Sequence, residues 1–133
     1  MRMLLGLSFA VAAAALQPAV AQQPARPEII HREVVTGMPR GERQEVLVMT
    51  ATIAPGQATV FHTHRFPVTV FMLEGAFTLE MEGHEPVTIR AGQSLVEPPQ
   101  VRMTGYNHST TEPIRLGIFY VGDPGTPFLD PIH

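Results

Sequence analysis

The stretch Gly56-Gln57-Ala58-Thr59-Val60-Phe61-His62-Thr63-His64, continuing through Val68 to Glu74-Gly75, carries two imidazoles one residue apart at the entry to an apolar run. Side chains of an extended strand alternate between faces, so residues at i and i+2 share one. His62 and His64 are therefore expected to converge on a single point. Neutral imidazole is the commonest protein ligand for first-row metals, and two on one face supply half of a four-coordinate site.

Outward from this stretch the chain keeps one texture. Short β-branched and aromatic runs recur, each closed by Gly or Pro: Glu45 to Ile53, Ala58 to Phe61, Val68 to Leu73, Ala76 to Glu82, Pro86 to Arg90, Gln93 to Glu97, Val101 to Asn107 and Ile114 to Val121. In Ala76-Phe77-Thr78-Leu79-Glu80-Met81-Glu82 the apolar Phe77, Leu79 and Met81 fall on one face, with Thr78, Glu80 and Glu82 on the other. Closely spaced strands and no helical periodicity beyond the N-terminal segment predict an all-β, jelly-roll β-barrel of one domain over 45–121. Phe61, Phe66, Phe71, Phe77, Phe119 and Tyr106 are expected to supply the aromatic bulk of the core, with Met49, Met72 and Met81 as fillers. Residues 22–44, rich in Pro, Arg and Gly, read as an arm that docks a short strand through Ile29-Ile30 and Val34-Val35. The tail 122–133 is expected to lie along the outside of the sheet through Phe128 and Leu129.

The N-terminus opens on Met1-Arg2, runs apolar from Met3 to Leu16 and reaches Ala19-Val20-Ala21. These are the marks of a secretory signal peptide over 1–21. The apolar run of about 14 residues is short of the roughly 20 that span a bilayer. A periplasmic or secreted protein is the expectation, free of the membrane once the signal is removed; retention as an anchor is the other reading. All nine basic residues are Arg, so a Schiff-base lysine is excluded, and no basic patch suggests nucleic acid. There is no cysteine, which removes disulfides and thiolate chemistry.

Two segments resemble the signature motifs of the cupin superfamily, which are small β-barrels of jelly-roll type. The first family motif reads Gly, five residues, His-x-His, three or four residues, Glu, six residues, Gly. Gly56, His62, His64 and Gly75 fall at these positions, and Val68 stands where Glu is usual. The second reads Gly, five residues, Pro-x-Gly, two residues, His, three residues, Asn. Gly92, Pro98 and Asn107 match, while Gln100 replaces the Gly and Met103 the His. Sixteen residues separate Gly75 from Gly92, close to the shortest spacing in the family.

The resemblance implies a metal held inside the barrel, in a site that here lacks two of its four usual ligands. Met103 admits two assignments. As a core filler it leaves a lapsed two-ligand site; as a soft third donor it completes a His2Met set that favours copper over ions preferring oxygen, with Fe, Mn, Ni or Zn as alternatives. Glu97, just before Pro98-Pro99, reads as an exposed strand end, with a general base at the barrel mouth as the other assignment. His108 reads as a surface or rim residue, with a substitute for the missing ligand as the other assignment; His84 reads as part of the Gly83-His84-Glu85 turn, and His31 and His133 as parts of the chain ends. The expectation is a metal-binding protein on His62, His64 and Met103. A metal-dependent oxygenase or isomerase, and a metal-free barrel for a small ligand, are its rivals. The resemblance also implies a homodimer.

Overall fold

A computed structural model describes residues 21–133, so the expected signal segment, all but Ala21, lies outside the described residues. Nine strands follow in order: β1 Glu45–Ile53, β2 His62–Thr63, β3 Val68–Glu74, β4 Ala76–Met81, β5 Val87–Arg90, β6 Ser94–Glu97, β7 Met103–Tyr106, β8 Ile114–Gly122 and β9 Asp130–Pro131. They form two antiparallel sheets, ordered β1-β8-β3-β6 and β5-β4-β7-β2-β9. No helix among the described residues is long and apolar enough to cross a membrane.

The alternation of each strand decides which face closes the core. In β4, Phe77 and Leu79 are buried while Thr78 and Glu80 are not, and Met81 is only half-buried at the strand end. In β3, Val68, Val70 and Met72 turn inward against Ile114, Leu116, Ile118 and Tyr120 of β8. Tyr120, not singled out in the sequence, is the largest fully buried side chain. Phe61 and Phe119, expected inside, lie 44% and 45% exposed; Phe119 sits on the outward register of β8 opposite Val48.

Three expectations about elements need correction. The run Ala58 to Phe61 is not a strand. Its one bridge joins Ala58 to Tyr106, and the ladder begins only at His62, which pairs with Met103 of β7 and Pro131 of β9. The arm contributes no strand: Ile29, Ile30 and Val34 remain 64%, 57% and 96% exposed. The tail does not run along the outside of the sheet. It turns back as β9, so that Phe128 packs against the core and Leu129 lines the interior cavity.

Asn107, the last residue of the second motif, is fully buried and acts as a staple. Its side-chain amide donates to the Ile53 carbonyl at 3.0 Å and the Glu112 carbonyl at 2.8 Å, and its Oδ1 accepts from the Ser109 N–H at 3.0 Å. It thereby ties β1 to the loop between β7 and β8. Asn107→Ala strands all three partners. Each buried polar group left unpaired costs roughly 1–3 kcal/mol, so a loss of about 2–3 kcal/mol is expected where water relieves part of it. Urea unfolding measures this, and an unchanged midpoint would show that the staple contributes nothing.

Candidate metal centre

His62 and His64 meet as the pattern requires. Both are buried, at 4% and 1% exposure, and their Nε2 atoms lie 3.0 Å apart with ring planes at 81°. The third member of the cluster is Glu97, whose Oε2 is 3.0 Å from His64 Nε2. Its expected place at an exposed strand end is overturned. β6 alternates so that Leu95 and Glu97 both turn inward, leaving Glu97 5% exposed. The register explains the apparent loss in the first motif. Val68, which stands where the family places Glu, pairs directly with Glu97 across the β3–β6 ladder. Directly opposite residues have Cβ atoms about 4.5–5.5 Å apart, so the carboxylate has moved one strand sideways while staying beside the imidazoles.

The other ring nitrogens fix the protonation state. His62 Nδ1 lies 2.6 Å from the Val60 carbonyl and His64 Nδ1 lies 2.7 Å from the Phe128 carbonyl. A carbonyl oxygen only accepts, so each Nδ1 carries the proton and donates it. In the neutral rings both Nε2 atoms then present lone pairs, to each other and to a carboxylate oxygen. Acceptors 3.0 Å apart, as His64 Nε2 is from each of the other two, repel unless a cation sits between them, either a metal ion or one added proton. Burial is the main influence on His62 and pushes its pKa below 6.5, with His64 adding to the depression and the Val60 bond and Glu97 opposing it. That weighs toward neutral, ligand-ready imidazole. Metal–donor bonds of about 2.0–2.2 Å set neighbouring donors roughly 3 Å apart, and the two 3.0 Å spacings agree with this.

Met103 is 1% exposed on the inward register of β7, directly opposite His62, and belongs to the hydrophobic core. The remaining histidines stand apart. His31 pairs with Glu33 on the surface, His84 and His133 are exposed, and His108 stacks on Tyr106 with ring centroids 5.3 Å apart.

Beside the cluster lies a cavity of about 170 Å³ whose wall is apolar except for His62, His64, Glu97 and Thr59. Gly105 forms part of that wall, and a Cβ there would clash with the Phe77 ring. The tail closes the site. Phe128 tilts over His64 at a centroid distance of 4.8 Å, and the segment is held by β9, by the Ile132 N–H donating to the Phe61 carbonyl, and by a two-pronged Arg65–Asp130 pair at 2.9 and 3.0 Å. The hydrogen bond from Arg65 holds the exposed Asp130 carboxyl below the usual range.

The family model described as "Cupin domain" matches residues 49–121, more than half the chain, and the protein belongs to that family. Solved structures share the fold. A cupin-like protein of Thermotoga maritima superposes with a TM-score of 0.55 at 17% identity over 65% of this chain and 64% of that one. An RmlC-like cupin with a double-stranded β-helix fold from Methanocaldococcus jannaschii gives 0.52 at 21% identity over 68% and 74%. The DMSP lyase DddQ of Ruegeria pomeroyi gives 0.54 at 22% identity over 62% of this chain and 41% of the lyase. The likeness thus takes in less than two thirds of the Thermotoga and Ruegeria chains. No curated protein matches the sequence.

Proposed function

We propose that the protein is an exported metal-dependent cupin, in which His62, His64 and Glu97 hold one transition-metal ion beside a small, partly open pocket for a second ligand. The convergence of three buried lone-pair donors, with both imidazole tautomers set by backbone carbonyls, carries this reading. Export rests on the sequence of Met1 to Ala21. Such an ion would supply a Lewis-acid centre able to polarise a bound oxygen. The chain's own contributions are separate and definite. Val60 and Phe128 orient the rings, Glu97 offers the single negative charge, and the apolar wall keeps bulk water from the donors. A mostly apolar pocket next to the donors favours a protein that acts on or senses a small molecule over a simple metal carrier, which needs no such space.

Two imidazoles and a carboxylate suit Fe(II), Mn, Ni or Zn as well as copper. Copper gains the advantage only if the Met103 sulfur, on the strand opposite His62, joins the set. The first measurement is elemental analysis of protein purified without chelator. About one equivalent of a transition metal is expected, lost on lowering the pH as the imidazoles protonate, and well under one equivalent would leave a metal-free barrel. Met103→Leu then separates the metals. Unchanged affinity for Zn(II) and Cu(I) alike assigns Met103 to the core, whereas a Cu(I) affinity that falls sharply while Zn(II) holds assigns the sulfur to the ion.

A further inference from the structure

The cavity beside the metal donors has a shape and polarity that restrict what it can hold, and the restriction is tighter than the fold requires. Its volume of about 170 Å³ is well below the roughly 300–1,000 Å³ of pockets that take drug-sized ligands. A dry cavity of about 150 Å³ in another protein accommodates benzene, so this one has room for about seven non-hydrogen atoms. Ile53, Val70, Phe77, Leu116, Ile118 and Phe128 are the larger of its apolar lining residues together with Leu129.

The polar part of the wall is concentrated. His64 touches both His62 and Glu97, and the three form one patch. Among the described residues the only other polar side chain is Thr59, whose Oγ1 already accepts the Gly105 N–H at 2.9 Å and keeps one proton to donate. No Arg among the described residues lines the cavity. A ligand can therefore present one oxygen-bearing head to the metal patch, but a second charged group would be buried against hydrocarbon with nothing to pair it.

We propose that the second ligand is a singly functionalised small molecule: one oxygen head, charged or neutral, on a hydrocarbon body of about five carbons. Sugars, amino acids, dicarboxylates and zwitterions are excluded by the wall. This rests on the metal-site reading for the placement of the head, and on the cavity alone for the body.

The test uses the full chain loaded with Zn²⁺, titrated calorimetrically with pentanoate and glutarate and followed by methyl NMR. Pentanoate should bind and move the methyl signals of Ile53, Val70, Leu116 and Ile118. Glutarate, which adds a second carboxylate, should bind at least about 100-fold more weakly, given the cost of an unpaired buried charge. Octanoate, three carbons longer, should be refused. Leu116→Ala removes three carbons from the wall and should admit octanoate. Ala51→Leu adds three and should abolish pentanoate binding at unchanged zinc stoichiometry, which keeps the proposal testable if Leu116→Ala does not fold. Glutarate binding within tenfold of pentanoate, or pentanoate binding undisturbed by Ala51→Leu, overturns the proposal. If zinc itself does not bind, the metal reading fails while the cavity claim is still decided on metal-free protein. There 1-pentanol should move the same methyls and 5-amino-1-pentanol should not; equal shifts from both, or none from pentanol, overturn it.

Discussion

Glu97→Val is expected to lower metal affinity by at least about 100-fold, beyond the roughly 10–100-fold that losing an outer partner of a ligand typically costs, and adding Val68→Glu to that variant is expected to recover most of it. The argument is one of register. Val68 and Glu97 are directly paired on adjacent strands, so exchanging them returns the carboxylate to the strand on which the cupin pattern places it without altering the summed side-chain composition. Stability separates ligand loss from unfolding. Glu97 is a buried carboxylate beside two imidazoles; with both rings neutral and no ion bound it faces the His64 Nε2 lone pair at 3.0 Å with no proton between them, so an apolar side chain there removes a repulsion between acceptors and not an ion pair. The single variant should therefore melt no lower than the metal-free parent while failing to retain zinc in equilibrium dialysis. Retention of a full equivalent by Glu97→Val would remove Glu97 from the site. Failure of the double variant to recover would show that the shift between strands is not equivalent in space.

The fold was legible because its signals are local and redundant. β4 shows the period of two in its own residues, and the turn glycines bracket it, so its boundaries follow within a residue. The segment Ala58 to Phe61 has the same composition as a strand yet makes a single bridge, to Tyr106 of β7, and the continuous ladder starts only at His62, where β9, formed by the tail, pairs on the other side of β2. Nothing in residues 58–61 reveals a strand some seventy positions away. The site divides in the same manner. His62 and His64 declare themselves by spacing within one strand. Glu97 was readable in principle, since Leu95 and Glu97 share a face, but the pair Pro98-Pro99 suggested a strand running out into solvent. In fact the chain turns back at Gln100, which takes the left-handed φ of 62° at the position the family gives to Gly, and its N–H donates to the His64 carbonyl at 2.8 Å. The Phe128 carbonyl was beyond sequence reasoning altogether, because a backbone acceptor carries no residue type.

That carbonyl makes the tail part of the metal centre, and ending the chain after Pro127 should weaken metal binding about 10–100-fold even though no ligand is removed. His64 Nδ1 would lose its only acceptor in the cluster's frame. The ring could then rotate or exchange tautomers, so that Nε2 no longer presents its lone pair toward His62 and Glu97 at all times. Deleting Phe128 to His133 also removes β9 from beside His62 and opens one wall of the cavity to water, which screens the donors from the ion they would share. Two full-length variants apportion the loss. Phe128→Ala keeps the carbonyl and removes only the ring over His64, so it should retain most of the affinity. Asp130→Asn weakens the exposed pairing with Arg65, where solvent already screens both groups, and should change affinity little. Equilibrium metal competition across the three proteins ranks them. Truncated protein that binds as tightly as the full chain would mean that His64 is held by packing inside the barrel, and that the tail only covers a site complete without it.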